Sequence, residues 1–186
     1  MNVNLHKLRK SLRSRKYVLI VMRHAKAEAL GEGGDRTRKI TDKGRKQAKA
    51  VAKGLDALEL VPDRIATSSA DRTVETLNRM LKYFGDGPKV DVRLSLYQGG
   101  IQSILDEIHT TKPKRRTLMI LGHEPTVSVS CEWLATSESD PTQLDLLHLG
   151  LSPASVAIFA CDRPFGEWTM HGADLVAVLT PRDFEV

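Results

Sequence analysis

The sequence predicts an α/β fold: a three-layer sandwich with a mainly parallel central sheet, helices on both faces and an antiparallel C-terminal edge. Three observations lead there. Two short runs, residues 18–22 and, but for Thr117, residues 117–121, are apolar, as strands buried on both faces are. Stretches with apolar residues three and four apart alternate with shorter strand-like runs, the order that builds βαβ units. After residue 150 the pattern changes to strand-like runs joined by tight turns, which suits an antiparallel edge.

Residues 1–16 hold Lys7, Arg9, Lys10, Arg13, Arg15 and Lys16 and no acid, with Leu5, Leu8 and Leu12 at helical spacing. They read as a basic N-terminal extension that contributes +6 to a chain of net charge +5, so the remaining residues sum to −1. A short helix packed on the domain, a partly disordered leader, and a membrane-surface or nucleic-acid arm all fit this composition. Residues 17–186 read as one domain, an ordinary domain size.

After the first strand, residues 26–39 form a polar loop with Gly31, Gly33 and Gly34, long for a βα connection. Thr41 is placed as an N-cap, and Ala48, Val51, Ala52, Leu55 and Leu58 predict a helix to about Leu60, closed by Pro62. Residues 64–67 predict a second strand, broken by Ser68-Ser69-Ala70. Asp71 is expected to cap a helix that runs to Tyr83. Residues 84–88 are a turn, Val90 and Val92 suggest a third strand, residues 94–100 a loop and residues 101–108 a helix. Residues 112–116 form a basic connection around Pro113. The strand at 117–121 ends in Gly122-His123-Glu124-Pro125, and a helix then runs to Leu134 with Pro125 in its first turn. Residues 136–152 read as irregular. Residues 156–160, 167–171 and 175–179 are three strand-like runs.

Cys131 and Cys161 have no metal-ligand spacing and read as reduced thiols, which suits the cytoplasm. No apolar stretch approaches the roughly 18 residues of a membrane span, and the basic start does not lead into an apolar segment as in a secretory signal, so membrane insertion is not expected. The near-neutral remainder and 5% aromatic content argue against nucleic acid as a partner.

The residues with chemical promise fall at strand ends. The first strand delivers Arg23-His24 and the fourth delivers His123 to what would be one carboxyl edge, where open α/β sheets bind ligands. The second strand ends in Ser68 and leads into a helix whose first turn holds Arg72. A cation gains little from a helix N-terminus, so Arg72 is expected to face an external anion there. Two guanidiniums that never deprotonate, beside two imidazoles and helix N-termini, are the parts phosphoryl chemistry needs. No cluster of acids suitable for Mg²⁺ is apparent, and neither a metal nor another cofactor is expected.

Three segments carry a family resemblance: Val21-Met22-Arg23-His24-Ala25, the run from Ser68 through Arg72 to Thr76, and Leu121-Gly122-His123-Glu124-Pro125. In order and spacing they resemble the histidine phosphatase superfamily, and most of all its small SixA-like phosphohistidine phosphatase branch. Arg38-Lys39-Ile40-Thr41-Asp42-Lys43-Gly44 is similar to that branch's approach to its first helix. The resemblance implies that His24 is the nucleophile and becomes phosphorylated. It implies that Arg23 and Arg72 bind the phosphoryl oxygens and that His123 hydrogen-bonds the same group. Ser68, Asp35, Arg38 and Gly122 are further expected substrate-binding residues. The chain has Ala25 where the family often has Gly, a change small enough to keep the backbone approach. It also lacks room for the lid of the larger branches, and residues 94–100, where their acid would be sought, hold no carboxylate. Asp35 takes the place of an acid found in SixA-like proteins, and Asp35, Glu28 and Tyr97 are the candidate proton donors.

That shortage bears on substrate. An alkoxide leaving group needs a proton donor, worth about 10²–10⁴-fold, while the imidazole of phosphohistidine needs less help. A lidless site suits a phosphorylated side chain on a protein. The expectation is a metal-independent phosphatase for a phosphohistidine-bearing phosphorelay or phosphotransfer protein, with inorganic phosphate released in the site. The alternatives are a general phosphomonoesterase for a small metabolite and a catalytically weak phosphate-binding module.

Overall fold

The computed structural model describes residues 3–185; Met1 and Asn2, the start of the basic extension, and Val186, at the end of the expected domain, lie outside the described residues. Six strands form one sheet: β1 (Tyr17–Arg23), β2 (Arg64–Ser68), β3 (Lys89–Arg93), β4 (Thr117–Gly122), β5 (Val156–Cys161) and β6 (Asp174–Leu179). Their order is β3-β2-β4-β1-β5-β6, with the first four mutually parallel, β5 antiparallel to β1 and β6 antiparallel to β5. The expected mainly parallel sheet with an antiparallel C-terminal edge is therefore the observed one.

Strand alternation divides the core into two layers. Val18, Ile20 and Met22 of β1 face one layer, together with α1 (Leu5–Leu12), α2 (Asp42–Ala57) and α3 (Asp71–Phe84). Tyr17, Leu19 and Val21 face the other, with α4 (Ser95–Gln98), α5 (Ile101–His109), α6 (Thr126–Leu134) and α7 (Pro141–His148). Leu19, Ile20, Val21 and Met22 are fully buried. At about 1.5–3 kcal/mol for each such side chain, β1 is a firmly anchored strand on whose end reactive groups can be placed.

The basic extension is in part the packed helix that was one of its readings. Asn4 caps α1 by accepting from the Lys7 N–H at 2.9 Å, and Leu8 and Leu12 are buried in the first core layer. Thr41 caps α2 as expected, accepting from the Gly44 N–H at 3.1 Å. Gly44 itself is required by packing, since a Cβ there would overlap the Lys26 carbonyl.

Four local expectations are corrected. Asp71 is the first residue of α3 and Ala70 occupies the cap position without a side-chain bond. The expected loop at 94–100 contains α4, a single turn too short for periodicity to register. The irregular stretch 136–152 contains α7, capped by Asp140, which accepts from the Thr142 N–H at 2.8 Å, with Pro141 at the first helical position. Residues 167–171 are not a strand: Phe165–Glu167 form a 3₁₀ turn, and buried Trp168 donates its indole N–H to the Arg163 carbonyl at 2.9 Å. Among the described residues no helix is long and apolar enough to cross a membrane.

Candidate active site

The parallel register of β1 and β4 sets Arg23 beside Gly122, so Arg23-His24 and His123 leave the sheet at the same edge. The backbone of His24 is fixed on both sides. Its N–H donates to the Gly122 carbonyl at 3.1 Å, and its carbonyl accepts from the Ala154 N–H at 3.0 Å. The next N–H, of Ala25, donates to Thr76 Oγ1 at 3.1 Å, and that hydroxyl donates to the Arg72 carbonyl at 2.7 Å. Thr76 thus ties the loop after His24 to α3; it lies in the resembling segment but has no expected role from sequence.

The two imidazoles stand 5.4 Å apart between ring centroids. His24 Nδ1 lies 2.8 Å from the Ala25 carbonyl. A carbonyl only accepts, so Nδ1 carries the hydrogen and Nε2 of the neutral ring holds the lone pair. Burial is the main cause that lowers the His24 pKa to about 4, with the charges of Arg72, Arg23 and Arg38 acting in the same direction against the bond to Ala25. His123 Nε2 is 2.7 Å from Ser68 Oγ, which also accepts from the Ala70 N–H. Burial, then the charge of Arg72, takes the His123 pKa to about 3. Both rings are neutral near pH 7.

Arg23 Nη1 donates to the Leu151 carbonyl at 3.0 Å, which aims the guanidinium from the loop before β5. Arg72 is 6% exposed, and Asp35 engages two of its three guanidinium nitrogens. Its Nη1 donates to the Asp35 carbonyl at 2.9 Å and its Nη2 to Asp35 Oδ2 at 3.1 Å. The same carboxylate accepts from Arg38 Nη1 at 3.1 Å and from the Tyr97 hydroxyl at 3.0 Å. Burial works against ionisation of Asp35, but bonds from Arg38 and Tyr97 and the Arg72 charge outweigh it, and the pKa falls to about 2. The bond to Asp35 is also the main cause that raises the Tyr97 pKa.

Asp35 reaches Arg72 because its loop is closed at the base. Ala27 bridges Ile40, Glu28 N–H donates to the Lys39 carbonyl at 2.8 Å, and Glu75 of α3 accepts from the Ile40 N–H at 3.0 Å. Of the expected proton donors, Tyr97 and Asp35 come together, with the Tyr97 ring 5.9 Å from His123. Glu28 enters through its backbone alone, accepting from Arg38 Nε at 2.7 Å. Gly122 contributes its carbonyl to His24, and Ser68 contacts His123. Arg36 was missed from sequence: it donates to Ser69 Oγ at 3.2 Å and lies over the Tyr97 ring. Its only sequence signal was membership of the long polar loop.

Three buried side-chain nitrogens among the described residues lack a hydrogen-bond partner: Arg23 Nε, Arg72 Nε and His123 Nδ1. All belong to this rim. An unpaired buried polar group costs about 1–3 kcal/mol, so the fold holds its unsatisfied hydrogen-bonding capacity where an anion would satisfy it.

An α/β sheet with Arg-His at the end of one strand and a second His at the end of its parallel neighbour is consistent with the fold of histidine phosphatases. Known proteins of that fold match this chain. A model of the histidine phosphatase superfamily (branch 1) matches residues 19–100, which carry Arg23, His24 and Arg72. No curated protein matches the sequence. A candidate phosphohistidine phosphatase SixA from Nakamurella multipartitia is 27% identical, with a TM-score of 0.76 over 89% of this chain and 96% of that one. A candidate SixA from Agrobacterium tumefaciens is 22% identical (TM-score 0.72, 90% and 100% covered). A protein histidine phosphatase SixA solved with tungstate is 17% identical (TM-score 0.73, 89% and 98% covered). The last two speak for the fold alone. The chain resembles the histidine phosphatase superfamily in sequence and its SixA members in structure.

Proposed function

We propose that the protein is a phosphatase that works through a phosphorylated His24 and hydrolyses phosphohistidine on a protein. The single observation that carries the mechanism is the neutral, backbone-anchored His24 with its Nε2 lone pair free, surrounded by unpaired guanidinium and imidazole nitrogens. In the first displacement His24 Nε2 forms a bond to phosphorus, and the substrate's nitrogen leaves with the electron pair. In the second, water attacks phosphorus, the P–Nε2 bond breaks with its pair returning to Nε2, and phosphate departs. Arg23 and Arg72 neutralise the transferring group and His123 hydrogen-bonds it, contacts that strengthen as charge develops.

The substrate reading rests on the acid. Asp35, at about 2, holds no proton near pH 7, and Tyr97 already donates its hydroxyl proton to Asp35. Neither is poised to protonate an alkoxide, whereas a protonated imidazole leaves without that help. Two guanidiniums supply the positive charge a metal would otherwise bring, so turnover proceeds without one, in the cytoplasm, within a phosphotransfer chain. A substrate panel tests this: phosphohistidine peptide should be turned over at least about 10²-fold faster than sugar or nucleotide phosphates. A sugar phosphate as the best substrate would replace the reading with a small-metabolite phosphomonoesterase. Anion binding without phosphate release would leave a binding module.

A further inference from the structure

The near-neutral sum of residues 17–186 conceals a division. Residues 1–116 hold 26 of the 28 Lys and Arg residues and 13 of the 23 Asp and Glu residues, a net of +13. Residues 117–186 hold two cations and ten acids, a net of −8. The second set includes β5, β6, α6 and α7, which lie toward one end of the strand order. Overall charge therefore does not exclude a polyanionic partner, because it averages two segments of opposite sign.

The positive charge gathers at the amino edge of the sheet, opposite the candidate active site. All four parallel strands begin at or just after a cation: Lys16 before β1, Arg64 in β2, Lys89 in β3 and Arg116 before β4. Two recesses of about 220 and 170 Å³ meet at the connection into β4, Arg115 lining the first and Arg116 the second. Their two acids are already engaged, Asp91 by Arg64 and Glu59 by Arg13. Arg9, Lys16, Lys112, Lys114, Arg115 and Arg116 line the recesses and form no ion pair among the described residues. Arg115 donates to the Asp63 carbonyl and Arg116 lies 4.9 Å over the Tyr17 ring, so both guanidiniums are held in place. Two basic segments about a hundred residues apart in sequence make this one surface.

We propose that the amino edge binds single-stranded nucleic acid through its phosphates, without reading bases. Guanidinium forks in two adjoining recesses suit successive phosphates of a narrow, flexible chain. A bilayer fits less well: Leu8 and Leu12 of α1 are buried in the core, which leaves the extension no apolar face to insert. Tyr17 is buried too, so its ring is not available to stack on bases, and the contact is to backbone. At about 3.3 Å per residue, the seven residues of β1 set this surface roughly 20 Å from the catalytic rim, and occupancy leaves the rim open.

Fluorescence anisotropy with labelled oligothymidylate and oligouridylate of about 16 nucleotides tests this on the full chain. Both should bind at about 50 mM salt with similar affinity, and log affinity should fall with log salt at a slope near about −4, the value for six contacts to a single strand. Combined Lys112→Gln, Lys114→Gln, Arg115→Gln and Arg116→Gln should weaken binding by at least about tenfold. Should that variant melt early, Lys112→Gln with Lys114→Gln, both exposed, should still show a several-fold loss. Lys46→Gln with Lys49→Gln on α2 should leave affinity unchanged. The proposal is overturned by no anisotropy change at low salt, by an equal loss in the α2 variant, or by sedimentation with phosphatidylserine vesicles in place of oligonucleotide binding. Salt-sensitive self-association that accounts for the same residues would also overturn it.

Discussion

The two edges of one sheet use cations in opposite ways. At the carboxyl edge Arg72 is buried and Arg23 half-buried, held by Asp35 and by the Leu151 carbonyl, and each keeps an unpaired Nε. At the amino edge Lys16, Lys112, Lys114 and Arg116 lie in solvent. The amino edge has more charge, but its water-exposed cations are screened and can attract only in number. The carboxyl edge has less charge, but burial of Arg72 has already met much of the cost of desolvation, so its guanidinium acts more strongly on a small anion than a cation in water does. The number of cations locates a surface; their burial locates chemistry.

Substitutions should separate the two edges. His24→Ala should cost the most, at least about 10⁴-fold in phosphohistidine hydrolysis, since no other nucleophile replaces it; turnover within tenfold of wild type would break the assignment. Arg72→Lys keeps the charge but loses the fork to Asp35 and the free Nε, and should lower kcat/KM by about 10²-fold. Asp35→Asn should lower kcat/KM by about tenfold, through disorder of Arg72, as steady-state kinetics on the same peptide would show. Chelation with EDTA should leave the rate unchanged. The exposed pair Lys112→Gln and Lys114→Gln should leave kcat/KM within about twofold, which sharpens the contrast between the edges.

The pH dependence has its origin in the imidazoles. His24 is lowered to about 4 and His123 to about 3, so both stay unprotonated in the folded protein while the unfolded chain takes up protons near 6.5. Stability should therefore be full above about pH 6.5 and fall as pH drops toward 4, as urea titrations across that range would measure. Activity should persist over the same interval until His24 itself protonates.

Arg23-His24 and His123 were legible in the sequence because apolar runs end in them, and a buried strand of an open sheet presents its next residues at one edge only. Their convergence on that edge came from parallel pairing. Asp35 was located through the resemblance, yet its bond to Arg72 was not, because sequence offers no measure of how a loop closes; Ala27 and Ile40 decide that. Ser68 and His123 meet across 55 residues by the same tertiary logic. The helix Pro141–His148 had a usable signal in Asp140-Pro141 but little amphipathic contrast, and only Leu147 of it is buried. Trp168 misled because its β-forming side chain fits equally well under a turn.

The central position of β1 has a consequence for how the protein comes to exist. Val18 pairs with Thr117 on one side and with Ala160 on the other. During synthesis the strand that leads into His24 emerges before either of its neighbours, both of which come after residue 116. Until the ribosome has delivered them, five consecutive apolar residues have no sheet to join, the condition under which nascent chains aggregate or recruit chaperones. His24 is translated well before the two strands that hold it in place.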